Sequence, residues 1–257
     1  KVGNRGKQGI TLDVRKPKGR ELFLKMIGQF DVLVENFRTG TLDNWGLDLA
    51  TLHQHNPHLI VLRLTGFGQT GPYAQRPGFA RIFEAMSGLT YITGEPDRPP
   101  QHANYPLGDA IAGLFGAFAI ATALAERNAL PAHERKGVEI DLSATEALFR
   151  LLDPLAAESR FLKTARARAG SRASYTAPSN VYQTADGHWI TVVGTGNPIF
   201  TRLCQAMGRP DLLTDPRFVS NLERTRHLED LDAILSGWCR SLPLASIQQK
   251  LDAAEMP

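Results

Sequence analysis

Cysteine is nearly absent from this 257-residue chain: Cys204 and Cys239 are the only two, and neither has a metal or redox spacing around it. That excludes a disulfide framework, a zinc ribbon and a dithiol pair, and leaves buried free thiols in a reducing compartment. Charge of one sign is also scarce. Twenty-nine Lys and Arg face 26 Asp and Glu, a net +3 without dense basic runs, so no nucleic-acid partner is expected. A targeting signal is missing as well: the chain opens KVGNRGKQGITLDV, without an initiator Met, a basic n-region or an apolar h-region. It stops at LDAAEMP, and both ends read as cuts through a longer protein. The longest apolar run, Ala110 to Ala125, falls short of the ~20 residues that span a bilayer. Its glycines and alanines suit close packing, so it reads as a buried helix with no membrane partner. The expected location is the cytoplasm, or the mitochondrial matrix if the source is eukaryotic.

What is present is enough apolar residue to build a core: 42% hydrophobic against 21% charged. Up to about Ala165, short β-rich runs alternate with helical ones. GITLDV, DVLVEN, HLIVLRL and GVEIDL read as strands; GRELFLKMIGQF, LATLHQHN, Ile82 to Met86, the run after Asp109 and Ser143 to about Lys163 read as helices. Ser143 with Glu146 forms an S-x-x-E capping box. Strands separated by helices imply βαβ units and a mostly parallel sheet. The fold class is therefore α/β, with a Rossmann-like large domain at 1–165, a polar linker at 166–174 and a smaller α/β domain at 175–257. That second domain opens with two strands around an Asp186-Gly187 turn and continues with helices, one of them at about 223–239.

Two motif matches carry little. GFGQTG, Gly66 to Gly71, satisfies G-x-G-x-x-G after a strand, but Pro72 follows at once, so no helix N-terminus can receive a pyrophosphate. The segment reads as a loop at the carboxyl end of a strand, where α/β folds place ligands. His53, His55 and His58 straddle a helix end at Asn56-Pro57 and share no face, so no metal site is expected. No G-x-S-x-G elbow or Ser-His-Asp order is present.

Asp109 stands at the head of the run LGDAIAGLFGAFAIATALAE. As an isolated residue it reads as a helix N-cap, favoured by the helix dipole. Gly108 before it leaves room for a ligand, and the small-residue helix after it places the carboxylate between a polar loop and a dry core. A carboxylate so placed can act as a covalent nucleophile towards an activated acyl group. Arg15 in LDVR and Arg38 in VENFRTG leave strand-like runs, where forked guanidinium bonds suit phosphate or an ordinary surface role. Phe37 beside Arg38 offers a packing face for a flat base or a pantetheine arm.

Taken together, NRGKQGITLDV, DVLVENFRTGTLDNWGL, NPHLIVLRLTGFGQTGPYAQRPGF, SGLTYITGEPDRPP, LGDAIAG and APSNVYQTADGHWI resemble the class III CoA-transferases of the CaiB/BaiF type, the family of formyl-CoA transferase and carnitine CoA-transferase. The matches run in the family's order over nearly the whole chain. The resemblance implies an enzyme that uses coenzyme A as co-substrate, with no metal. Asp109 would be the nucleophile that forms an anhydride with the acyl group and then an aspartyl-CoA thioester. CoA contacts carry over to Leu12, Arg15, Asn36, Phe37 and, more loosely, Arg38. Gly66, Gly68, Phe79, Gly108 and Arg172 are the matching substrate-site positions. It also implies an interlaced homodimer.

The departures narrow the reading. Asn44 stands where many relatives have Arg, and Ala80 where many have Asp or Glu. The loop RPGFARIFEA has no His, which ranks an α-methylacyl-CoA racemase below a transferase. The small Ala80 resembles the branch that moves CoA from a succinyl-type donor to a small dicarboxylic acid. An acyl-CoA-binding protein without turnover is the alternative from another class. In and just before GSRASYTAPS, Arg168, Arg172 or Ser174 would face an acyl carboxylate.

Overall fold

The computed structural model describes residues 2–257. It divides into two compact units, one of residues up to Tyr91 with Gln101–Arg166, the other of Ile92–Pro100 with Ala167–Pro257. The excursion at 92–100 breaks the simple succession expected from the sequence.

The first unit is arranged around β2 (Ile60–Thr65), the middle strand of a parallel sheet ordered β1-β2-β3, with β1 at Val32–Glu35 and β3 at Glu139–Ser143. Val32 lies opposite Ile60, and Leu62 opposite Ile140. Side chains alternate across a strand, so β2 feeds two cores. Val61 joins Ile27, Leu52 and Leu59 beneath α1 (Pro17–Ile27) and α3 (Leu49–His55). On the other face Leu64 packs with Phe83, Ala112, Ala144 and Leu148, contributed by α4 (Ala80–Met86), α6 (Leu107–Ala129) and α7 (Ala144–Leu151). Two short helices, α2 (Thr41–Asn44) and α5 (Leu89–Ile92), complete the connections. Local chemistry sets the helix starts. Pro17 opens α1, Asp48 caps α3 by accepting the Thr51 N–H at 2.9 Å, and Ser143 caps α7 through the Glu146 N–H, as its capping-box spacing predicts.

Several expectations are overturned. GITLDV forms no strand: Asp13 instead gathers the Arg15 N–H and guanidinium and the Lys16 N–H closes on the Asp13 carbonyl, a turn that leads into α1. The helix expected from Ser143 to Lys163 breaks at Leu152 into α7 and α8 (Asp153–Leu162), because Pro154 lacks an N–H and fits only a first turn. The one expected at 223–239 is likewise two, α10 (Asn221–Arg226) and α11 (Leu228–Arg240).

The largest correction concerns α6, expected to be buried. Its 23 residues are long and apolar enough by length and composition to cross a bilayer, and 17% of its most apolar window is buried. Gly108, Ala112 and Gly116 form its inward stripe. At Gly116 a Cβ would come within 2.9 Å of the Leu62 side chain, so the helix axis lies close on β2. On the outer side Leu114 and Phe118 are 66% and 72% exposed.

The second unit holds an antiparallel hairpin, β4 (Ser179–Gln183) with β5 (Trp189–Val193), and the helices α9 (Asn197–Met207), α10, α11 and α12 (Leu244–Ala253). One continuous core includes Phe200, Leu203, Phe218, Leu235 and both cysteines. Burial pushes both thiols up to about 11, so they stay protonated and unreactive near neutral pH.

Candidate active site

The carboxyl ends of β1 and β2 and the start of α6 converge. At the end of β1, buried Glu35 accepts the Phe37 N–H at 2.7 Å, which bends the chain into Asn36-Phe37-Arg38. Burial raises the Glu35 pKa above the ordinary carboxylate value, against the pull of that N–H and of Arg63. Arg63, buried on β2, is clasped by Asp43 at 3.1 Å and Glu139 at 2.6 Å. Phe37 meets Trp45 edge to face, 5.1 Å between ring centroids.

After β2, the loop 66–79 wraps the Phe83 ring. A Cβ at Gly66 or Gly78 would stand 2.2 or 2.5 Å from that ring, so both glycines are required for the approach. Gly68 gives its carbonyl to the Thr39 hydroxyl at 3.2 Å, and the Gln69 N–H reaches both oxygens of Asp141 at 3.0 Å. Phe79, 84% exposed, leads into α4.

Asp109 is not the N-cap of α6. That position belongs to Pro106, with no side-chain cap, and Asp109 is the third residue of the helix. The Gly108 N–H is taken instead by Glu84 of α4, whose Oε1 accepts it at 3.1 Å. Glu84 is 2% exposed, and its Oε2 meets His102 Nδ1 at 3.0 Å. At Gly108 a Cβ would sit 2.9 Å from the Ala80 carbonyl oxygen, so the first turn of α6 rests directly on α4. The Asp109 carboxylate is exposed, and no hydrogen bond or ion pair to it is found among the described residues. A carboxylate with no competing partner is chemically a free nucleophile.

A cavity of about 380 Å³ gathers Asp109 with Asn36, Phe37, Arg38, Gly66 and Phe79, six of the residues singled out in the sequence. It also contains Arg76, stacked 4.3 Å over the Tyr73 ring, which sequence reasoning passed over because an arginine in a Pro-rich loop has no distinguishing spacing. Leu12, Arg15 and Gly68 are not among its lining residues, and Arg15 is turned onto Asp13 with contacts of 2.8 and 3.0 Å. Gly108 is not a lining residue either; it is buried as a packing position against Ala80. Glu84 and His102 were missed too; an acid on a short helix and a histidine in a loop meet only in three dimensions.

Arg172 belongs to the second unit, where its Nε pairs with Asp232 at 2.7 Å. Asp232 also accepts from Tyr182 and Asn180, and burial first, then Asp232, drives the Tyr182 hydroxyl far above its ordinary value. Arg168, Arg172 and Ser174 line a separate cavity of about 750 Å³ in that unit with Glu95, Asn180 and Trp189. The three histidines of the 53–58 stretch each engage a different backbone carbonyl, of Leu59, Thr51 and Arg135.

Comparison with known proteins bears on the whole chain. Residues 1–257 match the family model described as CoA-transferase family III. The chain is 40% identical, over 98% of its length, to a succinyl-CoA--D-citramalate CoA-transferase of Chloroflexus aurantiacus, and 37% identical over 99% to the beta subunit of a succinyl-CoA--L-malate CoA-transferase from the same organism. It spans 62% of the length of each of these curated relatives. Among solved structures, a CAIB/BAIF family protein from Brucella suis superposes with a TM-score of 0.81 at 33% identity, covering 99% of this chain and 66% of that one.

Proposed function

The chain belongs to CoA-transferase family III, and on that premise we propose that it supplies the catalytic core of an enzyme moving coenzyme A from an acyl-CoA to a free carboxylate. The observation that carries this reading is the unpartnered Asp109 carboxylate in one cavity with the Asn36-Phe37-Arg38 turn.

Asp109 attacks the thioester carbonyl of the donor, forming a mixed anhydride and releasing the CoA thiolate. The thiolate then attacks the aspartyl carbonyl of that anhydride, which expels the donor acid and leaves an aspartyl-CoA thioester. The acceptor carboxylate repeats the sequence in reverse: it displaces CoA to form a second anhydride, and thiolate attack on its acyl carbonyl gives the new acyl-CoA and restores Asp109. Both anhydrides hydrolyse readily, so the cavity must exclude water during turnover. The Phe37 and Phe83 rings and exposed Phe79 supply apolar wall. Arg38 and Arg76 supply positive charge for phosphate or carboxylate, and Asn36 and Phe37 hold the CoA arm.

The donor is a succinyl-type thioester and the acceptor a small dicarboxylic acid, in keeping with the activities named for the Chloroflexus relatives. The working protein is a homodimer in the cytoplasm, and the uncovered apolar face of α6 around Leu114 and Phe118 supports a second copy as its cover. Incubation of the protein with succinyl-CoA and a panel of short carboxylates, read by mass, tests the reaction. New CoA esters and a hydroxylamine-trapped derivative at Asp109 are the expected products; CoA binding with neither product overturns the proposal.

A further inference from the structure

We propose that Glu84 is the positioning residue for the nucleophile: it caps α6 from α4, and by doing so fixes the turn from which the Asp109 carboxylate is presented to the acyl group. The proposal rests on the reading of Asp109 as the nucleophile.

The first turn of a helix leaves N–H groups without partners, and an acidic residue at its third position ordinarily folds back to the N–H of the N-cap. In α6 that return contact is impossible, because the N-cap is Pro106, which has neither an N–H nor an acceptor side chain. Asp109 therefore has no capping partner to fold onto. The second helical N–H, of Gly108, still needs an acceptor, since Gly108 is buried. Glu84 provides it at 3.1 Å. The acceptor is held on both sides. Its other oxygen meets His102 Nδ1 at 3.0 Å, and His102 in turn lies 3.3 Å from the Thr90 hydroxyl. The same α4 that carries Glu84 presents the Ala80 carbonyl to Gly108 with no room for a Cβ. One short helix thus fixes the residue before Asp109 by a hydrogen bond and by contact. Gly108 fixed in this way sets the direction in which the next Cα–Cβ bond leaves the turn. Loss of the acceptor leaves the buried Gly108 N–H unpaired and the first turn free to shift, and a misplacement of about 1 Å at a reacting group costs on the order of a hundredfold in rate.

The test compares wild type, Glu84→Ala, Glu84→Asp and Glu84→Gln in the whole protein, reading kcat, KM for succinyl-CoA, and deuterium exchange at the Gly108 and Asp109 amides. Glu84→Ala is expected to lower kcat by about tenfold to a hundredfold, with KM for succinyl-CoA within about twofold and exchange at Gly108 at least about tenfold faster. Glu84→Asp, whose oxygens fall short of Gly108, is expected to behave the same way and stands in if the Ala variant does not fold. Glu84→Gln keeps an acceptor oxygen and is expected to recover kcat to within about threefold of wild type. Unchanged kcat in the Ala or Asp variant, a parallel rise in KM, or a Gln variant as poor as Ala overturns the positioning role. Absence of transfer by wild type refutes the nucleophile reading, whereas unaltered exchange at Gly108 refutes the cap itself, so the two failures are told apart.

Discussion

Arg224 in the second unit and Asp109 in the first are opposite uses of a charged side chain. Arg224 is 1% exposed, and its guanidinium donates to the carbonyls of Ala177, Phe218 and Thr195 and to Asn197 Oδ1, over the Phe200 ring. Burial lowers its pKa, and its donors are taken up in holding loops to the core. Asp109 is exposed and has no partner among the described residues. The first charge maintains structure and the second is kept available. The cores differ too: among the described residues the second unit has one buried cluster and the first two smaller ones, and α6 in the first leaves Leu114 and Phe118 exposed.

Mutation at the two charges breaks the comparison most sharply. Asp109→Ala is expected to reduce transfer by a factor of about 10³ or more with a stability loss of no more than about 1 kcal/mol, since its side chain has no hydrogen bond or ion pair and only the helix dipole to lose. A variant with more than a tenth of wild-type turnover refutes the nucleophile role. Arg224→Ala should do the reverse to stability, costing about 3–5 kcal/mol by leaving several buried acceptors unpaired; equilibrium urea unfolding measures it, and a loss below about 1 kcal/mol sinks the account. Gly108→Ala lies between the two, because its Cβ meets the Ala80 carbonyl. A loss of about 1–3 kcal/mol together with slower turnover is expected, read from paired denaturation and rate assays.

Glu35 sharpens the comparison through pH. Its folded pKa is raised from an ordinary value of 4.5, chiefly by burial. A raised value means that the folded protein binds the proton more tightly than the unfolded chain. This contribution is complete below about 4.5 and is lost as pH rises through the higher folded value. Relative to Glu35→Gln, which does not titrate, wild type should therefore lose stability as pH climbs across that window. A flat difference between the two unfolding profiles contradicts it. The smallest effect belongs to Phe118→Ser: stability of the isolated subunit within about 0.5 kcal/mol of wild type, with weaker self-association by sedimentation as the sign that a second copy covers α6.

Much of the site was legible in the sequence because strand-to-loop transitions follow from local pattern. The apolar run at Ile60–Thr65 and the turn after Glu35 put Asn36, Phe37, Arg38 and Gly66 at strand ends, and the structure lines one cavity with them. Asp109 stood out through its glycine and its small-residue helix, although its role as cap was assigned wrongly. The Pro106 two residues before the glycine carried that information: a proline N-cap has nothing to offer and nothing to accept from a third-position acid. GITLDV misled because β propensity without a neighbouring strand does not make a strand, and α6 misled because composition reports apolarity without reporting what covers it. Glu84 and His102 were invisible for a different reason. Their meaning lies in a contact between α4, a loop and α6 that no local window contains.

The Gly66–Gly71 loop has a consequence for how a nucleotide is held. In a phosphate-cradling loop the backbone N–H groups point outward at the anion. Here the Gln69 N–H is already gripped by both oxygens of Asp141, and that carboxylate repels a diphosphate. The loop is in effect sealed against the ligand its spelling advertises. In the adjoining cavity the positive charge available to a diphosphate comes from the Arg38 and Arg76 side chains, the latter stacked on Tyr73, and not from this amide. Attraction between exposed charges fades as ionic strength shortens the Debye length to about 8 Å at physiological salt. A diphosphate held by Arg38 and Arg76 would therefore bind less tightly as salt rises.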